Sequence, residues 1–157
     1  MDNNDKIFLA RAVELAMSGM KNGGGPFGAV IVRDGKIIAE AYNRVVPDHD
    51  PTAHAEIIAI REASSTLKTH DLSGCTLYTT CEPCPMCLGA IYWSGIRKVF
   101  YSCSRNDAAT SGFNDKLIYE EIALDPSERK VSFIKVEDAG AIEIFKTWDN
   151  LEDKKPY

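Results

Sequence analysis

The sequence predicts an α/β protein, a three-layer α/β/α sandwich with a five-stranded mixed sheet. Strand-type and helix-type patterns alternate along the chain, and an Asp-Gly pair joins the first two strands. Strands that alternate with helices after an opening hairpin predict a mixed, largely parallel sheet covered by helices on both faces. The 157 residues, 45% apolar and 26% charged, suit one globular domain with its own core. We therefore expect residues 1–157 to form a single domain.

The first half of the chain contains a helix, a hairpin and a second helix. Apolar residues recur at helical spacing before Gly23–Gly25, a glycine run that ends a helix. Two runs of strand-forming residues then flank Asp34–Gly35, which favours a tight turn. The elements expected here are a helix over Asp5–Asn22, strands over Phe27–Arg33 and Lys36–Tyr42, a loop over Asn43–Pro51, and a helix over His54–Leu67 that begins near Thr52.

The second half continues the alternation. A short strand of the buried type precedes Pro83, and proline is tolerated in the first turn of a helix because its missing N–H has no helical partner there. Near the end, apolar residues at helical spacing form one stripe that includes Phe145 and Trp148. The elements expected here are strand Cys75–Thr80, helix Cys84–Trp93, strand Lys98–Ser102, a polar loop to Asn114, helix Asp115–Ala123, strand Val131–Val136 and helix Ala141–Leu151.

Charge and hydropathy exclude several classes of protein. With 18 Lys+Arg against 23 Asp+Glu, the formal net charge of −5 argues against a broad nucleic-acid binder, which needs cations to replace phosphate counterions. No apolar run approaches the roughly 18–20 residues of a membrane helix. The start, Met1–Asp5, has neither the basic nor the apolar region of a secretory signal. We therefore expect a cytoplasmic protein whose five cysteines stay reduced.

Two short motifs carry the chemistry. His54–Glu56 (His-Ala-Glu) stands at the start of one predicted helix, and Pro83–Cys87 (Pro-Cys-Pro-Met-Cys) stands at the start of another. Two cysteines three residues apart on a first helical turn can face one point, and the helix N-terminus favours the thiolate form that binds metal. One His and two Cys are ligands that Zn²⁺ prefers, with the fourth tetrahedral position left open for water. We therefore predict that His54, Cys84 and Cys87 bind catalytic zinc.

Glu56 is the predicted general acid and base. Two residues after a ligand on a helix, it cannot point in the same direction as His54, but it can reach metal-bound water and move its proton. We expect Cys81 to pack beside the site, and the sequence leaves the roles of Cys75 and Cys103 open. The alternatives are a closed structural zinc site and a redox Cys-x-x-Cys pair, although a redox pair gives His54 and Glu56 no role.

These motifs resemble those of the cytidine deaminase superfamily. The similar stretches are Asp50–Glu56 and Cys81–Cys87, and His-x-Glu with Pro-Cys-x-x-Cys is the signature of its zinc deaminases. The similarity runs from about residue 26 to residue 102, within the branch that holds bacterial tRNA adenosine deaminases and guanine deaminases. The chain that follows the cysteine motif, including Leu88–Trp93 and an aromatic last residue, is more similar to the guanine deaminases. The resemblance implies a cytidine deaminase-like fold and a Zn²⁺-dependent hydrolase of purine catabolism that converts guanine to xanthine and ammonia.

The resemblance also implies a substrate pocket. An asparagine would hydrogen-bond the purine, two aromatic rings would form its walls, and a C-terminal segment, about residues 138–157 here, would close over it. In guanine deaminases of this type that segment is exchanged between the subunits of a homodimer. The residues at the matching positions are Asn43 for the hydrogen bond, Phe27 and Trp93 for the walls, Ala55 beside the metal ligand, and Asp115 and Tyr157 for the closing segment.

Two other substrates stay open at this point. A tRNA adenosine deaminase, which converts adenosine to inosine, flips a base out of an anticodon loop and needs a basic groove for the RNA. The chain offers few cations near the metal motif and in the tail beyond Arg97, Lys98, Lys154 and Lys155. Guanosine or another purine-like base is a further candidate. The expected partners are therefore a small purine and a second copy of the chain, with neither nucleic acid nor membrane.

Overall fold

The computed structural model describes residues 3–137 and 140–156. The chain divides into two compact units, Met1–Lys116 and Leu117–Tyr157. The elements, in chain order, are α1 (Asn3–Lys21), β1 (Gly28–Arg33), β2 (Lys36–Tyr42), α2 (Ala55–Leu67), β3 (Thr76–Cys81), α3 (Pro85–Trp93), β4 (Lys98–Cys103), α4 (Arg105–Thr110), α5 (Lys116–Ile122), a 3₁₀ turn (Pro126–Glu128) and α6 (Ile142–Asp149).

Four strands of the first unit form one mixed sheet in the order β2-β1-β3-β4. The predicted hairpin is confirmed, and its turn residues Asp34 and Gly35 have φ of 50° and 72°, as a tight two-residue turn requires. β1 is antiparallel to both β2 and β3, and β3 is parallel to β4. The expectation of a largely parallel sheet is therefore wrong, because the hairpin strand β1 lies between two antiparallel partners and only the β3–α3–β4 crossover produces a parallel pair.

Helices cover both faces of this sheet, which confirms the three-layer arrangement. Successive residues of β1 point to opposite faces. Ala29 and Ile31 belong to a core cluster with residues of α2, whereas Val30 and Val32 belong to a second cluster with residues of α1. Gly28 allows the close approach of α1, because a Cβ at this position would overlap a backbone oxygen of that helix.

Two helices begin later than the sequence predicts. The helix expected over His54–Leu67 begins at Ala55, and the helix expected over Cys84–Trp93 begins at Pro85. His54 and Cys84 are instead the N-cap residues, both in extended conformation. The proline of the first turn is therefore Pro85 and not Pro83.

The stretch expected to be a polar loop before Asn114 contains the short helix α4. Ser104 accepts a hydrogen bond from the Asp107 backbone N–H, and the Asp107 carboxylate accepts one from the Ser104 backbone N–H. This capping box is a local signal for a helix start, but six residues are too few for a clear apolar period.

The second unit has no strand among its described residues. Val131–Val136, expected to be the fifth strand, has no regular secondary structure, and its apolar side chains are exposed, Val136 to 74%. The sheet thus has four strands where five are expected, because a run of strand-forming apolar residues shows only that a segment can pair. No helix in the described ranges has the length and apolar composition needed to cross a membrane.

Candidate metal centre and active site

The predicted metal ligands lie at the amino ends of two neighbouring helices. His54 is the N-cap of α2 and Cys84 is the N-cap of α3. Cys87 is the third residue of α3, and the side chains at N-cap and N3 lie on the same side of a helix end, as in a capping box. Because α2 packs against α3, the imidazole of His54 meets both thiol groups.

The three ligand atoms have the spacing of a tetrahedral zinc site. His54 Nδ1 lies 3.5 Å from Cys84 Sγ and 3.6 Å from Cys87 Sγ. Ordinary Zn–N and Zn–S bonds at tetrahedral angles separate such a nitrogen and sulfur by about 3.6 Å. Among the described residues, no other group of three or more His, Cys, Asp or Glu side chains could hold a metal ion. The donor set and its spacing therefore fit zinc with three protein ligands.

Hydrogen bonds decide the protonation of the two cysteines. A hydrogen bond between the two cysteine side chains, together with one from His54, lowers the pKa of Cys84 to about 4. The same bond, followed by burial, raises the pKa of Cys87, and the bond to Cys84 raises the pKa of His54. Cys84 is therefore a thiolate at neutral pH, which is the form that binds metal.

Glu56 lies in the first turn of α2 and is buried beside the metal ligands. Its Oε1 accepts a hydrogen bond of 2.9 Å from the Thr79 hydroxyl, and its Oε2 lies 3.5 Å from Cys87 Sγ. Burial raises the pKa of Glu56, while hydrogen bonds from its own backbone and from Thr79 act in the opposite direction. A carboxyl group whose pKa moves toward neutrality is suited to accept and then donate a proton.

Thr79 is a site residue that the sequence analysis missed. It lies on β3 and is fully buried, and it occupies the strand face that carries Leu77, which packs in the core cluster with α2. A threonine is common in strands, so its type and position gave no functional signal. Only the packing of α2 on the sheet shows that its hydroxyl meets Glu56.

The other three cysteines lie outside the ligand group. Cys75 and Cys81 are buried, and Cys103 is exposed. The thiol of Cys81 donates to the backbone oxygen of Ser104 over 3.5 Å, and burial raises its pKa to about 11, so it stays protonated at neutral pH. The expectation that Cys81 packs beside the site stays a prediction.

Asn43 and Phe27 lie together where β2 ends and β1 begins. The backbone N–H of Asn43 donates to the carbonyl oxygen of Phe27 over 2.9 Å. The Asn43 side-chain oxygen accepts from the backbone N–H groups of Gly25 and Val45, each at 3.3 Å. These two donors fix the orientation of the amide, so that its NH₂ group faces away from them. Phe113, another residue that the sequence analysis did not assign, packs edge-on against Phe27 with ring centroids 4.9 Å apart.

The sheet connects Asn43 and Phe27 to Glu56. The backbone N–H of Gly28 donates to Thr80 Oγ1 over 3.2 Å, and the next residue toward the start of β3, Thr79, holds Glu56. Phe27 and Asn43 therefore lie at the same end of the sheet as Glu56.

The remaining predicted substrate residues are placed in different surroundings. Ala55 is the first residue of α2 and is fully buried in the core cluster. Trp93 is the last residue of α3 and is 69% exposed. Asp115 directly precedes α5 and is partly buried. Tyr157 lies outside the described residues, and all four assignments stay predictions.

Comparison with known proteins places these features in a family. Residues 2–103 match the profile of the cytidine and deoxycytidylate deaminase zinc-binding region. The chain is 52% identical over 155 residues to guanine deaminase of Bacillus subtilis (strain 168), with 98% of this chain and 99% of the relative aligned. It is 36% identical over 141 residues to the tRNA-specific adenosine deaminase of the same organism, with 90% and 88% aligned.

The fold matches as well. The X-ray structure of guanine deaminase from Bacillus subtilis superposes with a TM-score of 0.95 at 51% identity and covers 100% of this chain and 99% of that chain. The matched zinc-binding region contains all three ligand residues and Glu56. The resemblance that the two motifs suggest is therefore confirmed, and the chain belongs to the cytidine and deoxycytidylate deaminase family of zinc-dependent hydrolases.

Proposed function

We propose that this protein is a guanine deaminase, which hydrolyses guanine to xanthine and ammonia. The observation that carries the proposal is the buried Glu56 carboxyl beside the His54, Cys84 and Cys87 group. Sequence identity favours guanine over an RNA substrate. The chain is 52% identical to a guanine deaminase, with 99% of that relative aligned, but 36% identical to a tRNA-specific adenosine deaminase, with 88% of that relative aligned.

In this proposal His54, Cys84 and Cys87 hold the zinc ion. Zinc, when bound, acts as a Lewis acid that lowers the pKa of a coordinated water toward 7 and so provides a nucleophile at neutral pH. The chain contributes three ligands from two helix ends, which leaves one tetrahedral position for that water.

Glu56 moves the protons of the reaction. It accepts a proton from the attacking water as the oxygen bonds to C2 of guanine, and it delivers that proton to the adjacent ring nitrogen. It then transfers the second proton of the water to the amino group. The C2–N bond breaks, ammonia leaves and the carbonyl of xanthine forms. The ring nitrogen keeps the proton that it received, and Glu56 ends in its starting protonation state. Burial of Glu56 keeps bulk water from competing for these protons.

Asn43 selects the base. Guanine presents two neighbouring acceptors, O6 and N7, whereas adenine presents the N6 amino donor beside N7. An amide whose oxygen is held by Gly25 and Val45 offers its NH₂ donors to the ligand, which suits guanine and opposes adenine. Phe27, supported edge-on by Phe113, supplies an aromatic surface for stacking on the purine. Ala55, Trp93, Asp115 and Tyr157 complete the pocket in this proposal.

The proposed assembly is a homodimer in which each 157-residue chain is one deaminase domain and residues 138–157 are exchanged between subunits. Its support is the apolar surface of the second unit, where Ile134 is 80% and Ile144 69% exposed in the single chain. The large apolar side chains that this unit exposes, from Leu117 to Leu151, favour an interaction surface. The proposed compartment is the cytoplasm, because five free thiols, two of them zinc ligands, stay reduced there.

Ammonia release from a panel of guanine, guanosine, adenine, cytosine, cytidine and an anticodon-stem RNA tests the substrate. We expect release from guanine, and activity on the RNA alone would refute the proposal. Glu56→Gln keeps the shape of the side chain but cannot carry a proton, so kcat is expected to fall about 10²–10⁴-fold with zinc content unchanged. Light scattering tests the dimer. Mixing Glu56→Gln chains with chains truncated after residue 137 tests the exchange. Activity returns only if the intact C-terminal segment of a Glu56→Gln chain completes the site of a truncated chain, which retains Glu56.

A further inference from the structure

Thr79 reaches Glu56 from the most constrained part of the fold. The strand β3 lies inside the sheet, and Thr79 is paired with Ala29 of β1 and Tyr101 of β4. Its side chain is fully buried, and its β-branched Cβ restricts rotation about χ1. The hydroxyl donates to Glu56 Oε1 over 2.9 Å. Glu56 therefore receives a hydrogen bond from a rigid donor and not from a loop or a mobile surface residue.

This bond makes the two oxygens of Glu56 different. The terminal torsion of a glutamate is broad, so an unrestrained carboxyl group samples many orientations. Here Oε1 is held by Thr79, and Oε2 lies on the side of the metal ligands, 3.5 Å from Cys87 Sγ. Proton transfer requires the accepting oxygen to lie within hydrogen-bond reach of its partner, so the orientation of the carboxyl group controls the rate.

We infer that Thr79 is a positioning residue for Glu56, whose hydroxyl holds Oε1 so that Oε2 carries the proton between water and substrate. The inference rests on the proposed function of Glu56. Thr79 does not touch the metal ligands or the base in this assignment, so its effect belongs to kcat and not to KM or zinc affinity.

The neighbouring threonine supplies a matched control. Thr80 is also buried on β3, but its Oγ1 accepts a hydrogen bond from the Gly28 backbone and points to the other side of the strand. Thr79→Val and Thr80→Val remove the same hydroxyl from adjacent buried positions and keep the same shape. Only Thr79→Val removes a hydrogen bond to Glu56.

The experiment measures kcat and KM for ammonia release, zinc per chain and the thermal midpoint in the wild type and these two variants. We expect Thr79→Val to lower kcat about 10- to 100-fold, because a hydrogen bond to a charged group is lost, with KM and zinc content within about twofold of the wild type. Thr79→Ser keeps the donor and is expected to retain kcat within about threefold. Thr80→Val is expected to lower the thermal midpoint but to keep kcat within about threefold.

Glu56→Gln, measured in the same assay, separates the two proposals. If Glu56→Gln stays active, the proposed function fails. If Glu56→Gln is inactive but Thr79→Val has wild-type kcat, or if Thr80→Val loses as much kcat as Thr79→Val, the positioning role is refuted. If Thr79→Val does not fold, a comparison of kcat between Thr79→Ala, which lacks the hydroxyl, and Thr79→Ser, which keeps it, tests the same role. Adding Thr79→Val to Glu56→Gln is expected to cause no further loss of residual activity, and a multiplied loss would contradict action through Glu56.

Discussion

Substitutions of Asn43 separate its structural role from its proposed role in binding guanine. Its buried side-chain oxygen accepts hydrogen bonds from the backbone N–H groups of Gly25 and Val45, each at 3.3 Å. Its NH₂ group is left for the proposed hydrogen bond to the purine. Asn43→Asp keeps the acceptor for both backbone groups but replaces the NH₂ donor by an oxygen. Asn43→Ala removes both functions, so the two variants have different expected effects.

The structure sets the size of each effect. Asn43→Ala leaves two backbone donors without their acceptor, which costs about 2 kcal/mol at about 1 kcal/mol for each bond. For a chain of this length, that lowers the thermal midpoint by about 4–8 °C. Asn43→Asp is expected to lower it by less than about 2 °C. In the site, however, a carboxylate faces the O6 and N7 acceptors of guanine, and loss of the donor costs about 2–3 kcal/mol, or about 30- to 150-fold in kcat/KM.

Thermal unfolding and steady-state ammonia release from guanine, both at pH 7.5, measure the two effects. Asn43→Asp is expected to unfold near the wild-type temperature and to have a raised KM. Asn43→Ala is expected to lose stability as well as affinity. A stable Asn43→Asp protein with wild-type kcat/KM would show that the amide NH₂ does not contact the base. Equal destabilisation by both variants would show that the two backbone hydrogen bonds do not depend on the side-chain oxygen.

Three further predictions concern the ion pair between α1 and β2, the metal ligands and the packing of α1. Hydrogen bonds of 2.7 Å and 2.9 Å from Arg11 lower the pKa of Glu40 from its ordinary 4.5. The pair therefore stabilises the fold above pH 4.5, and this stabilisation is lost as pH falls through the lowered pKa. In urea unfolding, Glu40→Gln is expected to have a free energy of unfolding about 0.5–1 kcal/mol below that of the wild type at pH 7 and equal to it near pH 2. A difference that does not change with pH would contradict this role of the pair. Elemental analysis is expected to find little zinc in Cys87→Ser and wild-type zinc in the matched control Cys81→Ser; the reverse result would reassign the ligands. Gly28→Ala is expected to cost about 1–3 kcal/mol in unfolding free energy, because its Cβ overlaps a backbone oxygen of α1, and an unchanged thermal midpoint would contradict that packing.

Local chemistry made several features predictable from the sequence alone. The Asp34–Gly35 pair predicts the hairpin, because few residue pairs adopt positive φ at both positions of a tight turn. Cys84 and Cys87 are three residues apart at a helix start, and this spacing by itself brings their side chains to one side. The family could be inferred for the same reason, since its two motifs are short, local and chemically specific.

Longer-range features could not be read from local patterns. The apolar run at Val131–Val136 predicts a strand, yet it is irregular and exposed, because pairing depends on an available sheet edge and not on composition. The sheet is also not largely parallel as expected. After α2 the chain places β3 beside β1, to which it is antiparallel, and not beside β2.

By itself, the sequence determined the two motifs, the ligand types, the place of each motif next to a helix start, and the opening hairpin. Each depends on residues within a few positions of one another. Tertiary structure alone decided that Thr79 holds Glu56 and that the Asn43 oxygen is occupied by backbone groups 18 and 2 residues away. The physical reason is that a hydrogen bond between distant segments depends on how helices and strands pack, and the same threonine or asparagine in another packing has no partner in the site.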